Sequence, residues 1–250
     1  ITIEISKDKE NYSELAKVKA ESGKASYIWN TTKYEDGTYF LRIKATDTSG
    51  NTSEEDFVKK YEIDNTGISK IKVEDVTALS TAVQIKWEDV SEEDFSYFQI
   101  EMLEDDRFIK VGTVSDKLGY NILNLMPDTS YTFRVVGYDN LGNAGVPSDN
   151  IEIKTAQDNV SPVITQISPA PSEFNSKIAL EACVQDNYSI DYAVFSYSYD
   201  KINYTEIARV YSDTKRKNEK FNCEFDVSSL NEGKIYVKFD AYDSAGNKNI

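Results

Sequence analysis

Three loops of this chain each place an aspartate four residues before an asparagine, with a glycine just ahead of the asparagine. They read DTSGN at 47–51, DNLGN at 139–143 and DSAGN at 243–247. Aspartate–asparagine pairs also begin at Asp64 and Asp158, in the segments between consecutive loops. Carboxylate, amide and carbonyl oxygens are the ligands that Ca²⁺ prefers in proteins. The residue types therefore make five aspartates candidates for calcium binding at turns or linkers: Asp47, Asp139, Asp243, Asp64 and Asp158.

The same loops have a purely structural interpretation. None of them contains the dense D-x-D-x-D array of a dedicated calcium loop. Glycine in a left-handed conformation beside asparagine is what a tight hairpin turn requires. The sequence favours this turn interpretation. It predicts no bound metal and no other cofactor, and calcium stays open as the alternative.

The sequence gives little support for a catalytic function. The chain has no histidine, no G-x-S-x-G elbow and no glycine-rich phosphate loop. A carboxylate pair can cleave a glycoside, but 43 acidic residues leave no distinct pair to single out. We expect no catalytic residues and no enzyme activity.

The three loops end a longer repeat. GTYFLRIKATDTSGN at 37–51, TSYTFRVVGYDNLGN at 129–143 and GKIYVKFDAYDSAGN at 233–247 align without a gap, at spacings of 92 (Asp47 to Asp139) and 104 (Asp139 to Asp243). Apolar residues alternate with polar ones before each loop, as in half-buried strands, and helical periodicity is nearly absent. A repeat of about a hundred residues built from strands indicates tandem β-sandwich modules in an all-β chain.

An upstream hairpin repeats as well. ISKDKENYSEL at 5–15 matches YSYDKINYTEI at 197–207, and FQIEMLEDDRFIKVGTV at 98–114 takes the same position in the middle copy. This order predicts three modules with one strand arrangement. The first copy has almost no sequence ahead of its hairpin and the third has no strand after its turn, so we expect a piece of a longer protein whose outer modules are incomplete. Strand exchange with neighbouring molecules at the open edges is the alternative.

The net charge, the apolar runs and the positions of the two cysteines limit the partners that the chain can bind and the covalent links that it can form. The net charge of −15 argues against binding to nucleic acid or to anionic membrane surfaces. No apolar run reaches the length of a membrane span, so we expect no membrane insertion in this segment. Cys183 and Cys223 are predicted on neighbouring strands but on opposite faces of the sheet, which favours free thiols over a disulfide.

The middle copy resembles a fibronectin type III domain. It carries a strand tryptophan, an L-x-P-x-T-x-Y corner and the glycine of the turn, at Trp87, Leu125, Pro127, Tyr131 and Gly142. The resemblance implies a β-sandwich in which the corner tyrosine packs in the core and bonds to nearby backbone. The outer copies are similar to bacterial immunoglobulin-like repeats. We therefore expect immunoglobulin-like sandwiches at 1–65 (first strands missing) and 157–250 (last strand missing), a fibronectin type III domain at 66–156, and a rod-like arrangement of the three.

The resemblance implies a scaffold and does not by itself specify a function. We expect a monomeric, non-catalytic spacer or interaction stalk of a larger secreted or cell-surface bacterial protein, whose partners are the other domains of that chain and a protein or glycan ligand. The alternatives are an accessory carbohydrate-binding region of an extracellular glycoside hydrolase and an adhesin module that binds a host protein. The tyrosine-rich run at 192–204 splits between two sheet faces, which weakens a sugar platform.

Overall fold

The protein is described by a computed structural model that covers residues 1–53, 57–170, 173–174 and 176–249. Over these ranges the regular elements are seventeen β-strands and one 3-10 turn at Thr31–Lys33. The all-β prediction is therefore confirmed. In the described part of the chain, no helix has the length and apolarity needed to cross a bilayer.

The first module is a single antiparallel sheet in the described residues. Its strands, in the spatial order β2-β1-β3-β4, are β1 (Thr2–Ser6), β2 (Ser13–Lys17), β3 (Gly37–Lys44) and β4 (Phe57–Ile63). A small core forms on one face from Ile5, Tyr39 and Ile63, and Trp29 packs against it. The Tyr39 hydroxyl donates to the Glu35 carbonyl at 3.0 Å, so this residue bonds back to the preceding loop.

The second module is a sandwich of two sheets. One sheet has the order β5-β6-β9, with β5 (Val73–Ala78), β6 (Ala82–Trp87) and β9 (Gly119–Leu123). The other has the order β11-β10-β7-β8, with β7 (Phe95–Glu104), β8 (Arg107–Val114), β10 (Ser130–Asp139) and β11 (Ile151–Lys154). Trp87 and Phe133 are fully buried between the sheets, and the Trp87 and Phe98 rings lie 5.1 Å apart.

The corner of the second module is held by short-range hydrogen bonds. The Tyr131 hydroxyl accepts from the Met126 N–H at 2.9 Å, and the Thr129 hydroxyl donates to the Pro127 carbonyl at 2.8 Å. Leu125 is buried in the same core as Trp87. These contacts connect the loop before β10 to the sandwich, because the Tyr131 ring packs against the core while its hydroxyl bonds to the backbone of the loop.

The third module is also a two-sheet sandwich. Its sheets have the orders β12-β13-β16 and β15-β14-β17, formed by β12 (Val163–Ser168), β13 (Lys177–Gln185), β14 (Ile190–Ser198), β15 (Thr205–Tyr211), β16 (Asn218–Asp226) and β17 (Tyr236–Asp243). Phenylalanines from three strands fill the core between them: Phe195, Phe221, Phe225 and Phe239.

The two cysteines lie on adjacent strands of that module, as predicted. Cys183 of β13 faces Lys220 across the ladder, whereas Cys223 of β16 faces Leu180. Both thiols are free. Cys223 packs against the core, and its burial raises the pKa of the thiol. Their placement in different rungs and on different faces excludes a bond between them without backbone movement.

One strand order recurs in all three modules. A central strand pairs on one side with its hairpin partner and on the other with the strand that ends at the D-x-x-G-N turn: β2-β1-β3, β8-β7-β10 and β15-β14-β17. The predicted repeat is therefore confirmed at the level of topology. Because the order is constant, each D-x-x-G-N turn lies at the same end of its own sheet.

Candidate cation site at the module junctions

The aspartate of each D-x-x-G-N turn organises the turn itself. Asp139 Oδ1 accepts from the N–H groups of Leu141 (2.9 Å) and Asn143 (2.8 Å), and Oδ2 accepts from Asn143 Nδ2 (2.7 Å). Gly142 has φ +90°, a conformation that L-residues rarely adopt. The same hydrogen bonds form around Asp47 and Asp243. The turn role of these aspartates thus has a direct geometric basis.

The asparagine that ends the turn also contacts the linker that enters its module. The linkers are the segments between the last strand of one module and the first strand of the next: residues 64–72 between β4 and β5, and residues 155–162 between β11 and β12. Asn143 Nδ2 donates to the Asp64 carbonyl at 3.1 Å, and Asn247 Nδ2 donates to the Asp158 carbonyl at 3.0 Å. Asn51, in the first module, donates to Asp47 Oδ2 at 2.8 Å. One side chain in each of the second and third modules therefore joins the turn to the incoming chain.

Each linker is also bonded to the module that precedes it. At the first junction, Asn65 Nδ2 donates to the Thr31 and Tyr34 carbonyls at 3.0 Å each, and the Asn65 N–H donates to Asp36 Oδ1 at 2.6 Å. At the second junction, the Ala156 N–H donates to the Leu79 carbonyl at 3.2 Å, and the Ala156 carbonyl accepts from the Asp128 N–H at 3.1 Å. Both linkers are consequently hydrogen-bonded on both sides.

These contacts bring three carboxylates together at each junction. Asp64, Asp94 and Asp139 form one triad, and Asp158, Asp186 and Asp243 form the other, with one oxygen from each residue within 4.8 Å of the others. In both triads one aspartate comes from the linker, one from a loop that precedes the central strand of the module and one from the D-x-x-G-N turn. We call them the first-junction triad and the second-junction triad.

The second-junction triad is the more enclosed of the two. Asp158 and Asp243 are 5 % and 2 % exposed. Asp158 Oδ1 accepts from the Val160 N–H at 3.1 Å and from Asn187 Nδ2 at 3.0 Å. Among the described residues, no donor reaches Asp158 Oδ2, Asp186 Oδ1 or Asn187 Oδ1, although all three oxygens are buried. Buried acceptors without a donor are uncommon in folded proteins and call for a physical explanation.

Burial and mutual repulsion destabilise the ionised carboxylates of the second-junction triad. Burial raises the pKa of Asp186, the Tyr188 N–H partly offsets the effect, and the charges of Asp158 and Asp243 raise the pKa further. With an effective dielectric constant of roughly 20, two ionised carboxylates 4.8 Å apart repel each other by about 3 kcal/mol. Three carboxylates this close together, two of them on buried residues, are therefore costly unless a proton or a cation is shared among them.

The first-junction triad differs from the second in the hydrogen bonding and exposure of its carboxylates. Burial opposes ionisation of Asp139, but hydrogen bonds from the side chain and backbone of Asn143 outweigh it and lower the pKa of that carboxyl. Asp64 and Asp94 are partly exposed. Water therefore reaches two of the three carboxylates and screens their repulsion.

The structure groups some of the aspartates singled out in the sequence and separates another. Asp64 joins Asp139, and Asp158 joins Asp243, whereas no group of three potential metal ligands in the described ranges includes Asp47. Sequence reasoning missed Asp94, Asp186 and Asn187. All three lie in the loops before the central strands of the second and third modules, in the segments EEDF (92–95) and QDNYSI (185–190), so an acidic residue in that loop was the available signal.

Comparisons with known proteins place the middle module in a family. Residues 68–154 match the family model of the fibronectin type III domain. No curated protein matches the sequence.

Similar solved structures include domains of the same family and tandem arrays. A fibronectin type III domain of human fibronectin type III domain containing protein 3 is 28 % identical and covers 38 % of this chain and 93 % of its own, with a TM-score of 0.34. Titin domains A168–A170 are 18 % identical over 62 % of this chain and 54 % of theirs, with a TM-score of 0.35. A family 28 exopolygalacturonase of Yersinia enterocolitica is 16 % identical over 35 % of this chain and 20 % of its own, with a TM-score of 0.30.

Proposed function

We propose that this chain, whose residues 68–154 form a fibronectin type III domain within a tandem β-sandwich region, is a non-catalytic spacer of a larger secreted or cell-surface bacterial protein. In this role it holds other domains of the same chain at a set distance and orientation. We place the modules at residues 1–65, 66–156 and 157–250. Fibronectin type III domains are generally non-catalytic and are typical of extracellular or surface proteins.

The observation that carries the proposal is the bonding of both linkers on both sides. Asn143 and Asn247 hold the incoming linker against their own modules, while Asn65 and Ala156 bond the linkers to the modules before them. Unanchored modules on short linkers would move with respect to each other by default. Anchoring at both ends of a linker instead favours a semi-rigid chain of modules, which is what a spacer requires.

Small-angle X-ray scattering of a lengthened variant tests this role. Four glycine and serine residues inserted after Gln157 should free the third module and broaden the distribution of interatomic distances. The control variant carries the same insertion after Glu232, in the loop between β16 and β17, whose hydrogen bonds stay within the third module. We expect the control to scatter like the parent. A parent as heterogeneous as the linker variant would contradict the spacer role.

The proposed location is tested on cells of the source organism. An antibody against residues 66–156 should label intact cells or recover the protein from the medium. Labelling only after lysis would contradict a secreted or surface protein.

Carbohydrate binding is a second candidate, favoured by one observation. Tyr97 stacks on Tyr138 with ring centroids 4.8 Å apart, and Tyr192 stacks on Tyr242 at 4.5 Å, at equivalent positions of the second and third modules. Such cross-strand pairs also stabilise a sheet without any ligand. Glycan-array binding that is lost in both Tyr97→Ala and Tyr192→Ala, but kept in a variant of an exposed tyrosine of the first module, Tyr27→Ala, would favour this function over the spacer.

A further inference from the structure

We propose that the second-junction triad, Asp158, Asp186 and Asp243, binds a divalent cation of the Ca²⁺ class between the linker and the third module. The proposal goes beyond the spacer role, because it assigns a ligand and makes the stability of the junction depend on that ligand.

The donor set and its spacing suit this ion. Ca²⁺ takes six to eight oxygen ligands at about 2.3–2.6 Å, so two ligands on opposite sides of the ion lie up to about 5 Å apart. The three carboxylate oxygens lie within 4.8 Å of one another, inside that limit. The triad contains neither histidine nor cysteine, the ligands that zinc and copper select. Mg²⁺ demands a tighter octahedral arrangement at about 2.0–2.1 Å and is therefore the poorer fit.

Unpartnered oxygens provide an independent reason to expect a ligand. Asp158 is 5 % exposed, and its Oδ2 has no donor among the described residues, although its Oδ1 has two. Asp186 Oδ1 and Asn187 Oδ1 are buried without donors as well. Asn187 donates its amide to Asp158, so its carbonyl oxygen lies beside the triad. A cation would satisfy these acceptors together and cancel the repulsion among the carboxylates.

The first-junction triad does not support the same conclusion. Asp64 and Asp94 are partly exposed, and in the described part of the chain none of its side-chain oxygens is buried without a partner. The proposal is therefore restricted to the second junction. This asymmetry supplies an internal comparison within one molecule.

The effect on the chain follows from where the ligands come from. Asp158 belongs to the linker, whereas in the third module Asp186 follows β13 and Asp243 is the last residue of β17. A shared cation fixes the linker to both of these positions, beside the existing bond from Asn247 to the Asp158 carbonyl. Cation binding should therefore stabilise the third module and restrain the linker that enters it.

The test is a titration of the 250-residue chain with CaCl₂ in metal-free buffer, followed by backbone and side-chain amide NMR signals. Tyr188, Ala245 and Asn247 donate to triad carboxylates, so their signals should shift and saturate. A dissociation constant of about 10⁻⁴–10⁻³ M is the range typical of extracellular calcium modules. MgCl₂ at equal concentration should produce smaller shifts.

Two variants and one matched control locate the site. Asp158→Asn removes the unpartnered oxygen and keeps the acceptor that Val160 and Asn187 use, and Asp186→Asn keeps an acceptor for the Tyr188 N–H. The control, Asp200→Asn, changes a carboxylate of the same module that is saturated by donors from Ser198, Ile202 and Asn203. We expect at least about tenfold weaker Ca²⁺ binding in both triad variants and unchanged binding in the control.

The melting temperature provides a second test, in which the variants are more stable than the parent without Ca²⁺ but gain less stability than the parent when Ca²⁺ is added. Without cation, Asp158→Asn and Asp186→Asn should melt above the parent, because a repelling charge is gone. With millimolar CaCl₂, the parent should gain several degrees and the variants should gain little. Failure of both variants to fold would therefore also contradict the proposal. Absence of saturable binding, or binding that Asp158→Asn leaves unchanged, would overturn it. The NMR titration measures cation binding and does not depend on the orientation of the modules. The cation site and the spacer role can therefore be refuted independently.

Discussion

The asparagines of the D-x-x-G-N turns provide a matched pair that isolates the linker contacts. Asn51 and Asn143 occupy the same turn position and donate to their own aspartates at 2.8 and 2.7 Å. Within the described residues, only Asn143 of the two also donates to a linker carbonyl, that of Asp64, at 3.1 Å. Asn51→Ala should therefore measure the loss of the turn contact, and Asn143→Ala the loss of the turn contact together with the linker contact. A net intramolecular hydrogen bond contributes about 1 kcal/mol, so we expect Asn143→Ala to cost about 1 kcal/mol more than Asn51→Ala.

The two tryptophans make this comparison measurable within one chain. Trp29 packs in the first module and Trp87 in the second, so each indole N–H signal in an NMR spectrum reports one module. Urea titrations of both variants should move the Trp87 transition in Asn143→Ala further than the Trp29 transition in Asn51→Ala. The parent titrated alongside supplies both reference midpoints. Equal costs for the two variants would refute the idea that the turn asparagine holds the linker.

Three further perturbations test the cores and turns. Trp87 is fully buried, so Trp87→Ala should cost about 3–5 kcal/mol in urea unfolding, and a cost below about 1 kcal/mol would contradict its core role. A Cβ at Gly142 would meet no atom within 4 Å, but Gly142→Val must adopt φ +90°, so it should cost about 1–3 kcal/mol through backbone strain, whereas an unchanged midpoint would exclude that strain. Donors from Asn203 and Ile202 lower the pKa of Asp200, so its stabilisation is fully present above the unfolded pKa of about 3.9 and is lost progressively as the pH falls from there through the lower folded pKa. Asp200→Asn should therefore lower the melting temperature at pH 7, and the difference from the parent should shrink steadily below about pH 4. A difference of the same size at pH 7 and at about pH 2 would contradict this linkage.

Much of the fold follows from the sequence because the repeat is local. Strand alternation before each turn, the glycine of the turn and the tyrosine corner depend on residues close to each other in the chain, such as Tyr131 and Met126. The strand order then follows from repetition, since three copies with the same sequence of hairpin, strand and turn have one common topology. The opposite faces of Cys183 and Cys223 likewise follow from period-two alternation.

The candidate site was less accessible to sequence reasoning for a physical reason. The sequence pattern presents Asp139 and Asp243 as either turn residues or calcium ligands, yet each of them organises its turn and also lies close to two other carboxylates. The third members do not repeat at one position. Asp94 directly precedes its central strand, whereas Asp186 lies four residues before Ile190, where its own strand begins. Alignment of the copies therefore does not reveal the triads, which form only when a loop and a linker meet in space.

The role of the turn asparagine was hidden for a similar reason. Asn51, Asn143 and Asn247 are identical in sequence context, but the second and third each contact a linker carbonyl about eighty to ninety residues away in the chain. A tight turn explains all three asparagines equally well. The distinction depends on whether the carbonyl of a distant linker residue lies within reach of the asparagine amide, which no local sequence pattern encodes.

Residual dipolar couplings of the second and third modules test the central claim, that the linkers hold successive modules in a fixed relation. Couplings from residues 66–156 and 157–250 of the parent chain should fit alignment tensors of the same magnitude and orientation, because modules that tumble together align together. Insertion of four glycine and serine residues after Gln157 should make the two tensors diverge. Tensors that already differ in magnitude in the parent would contradict the claim.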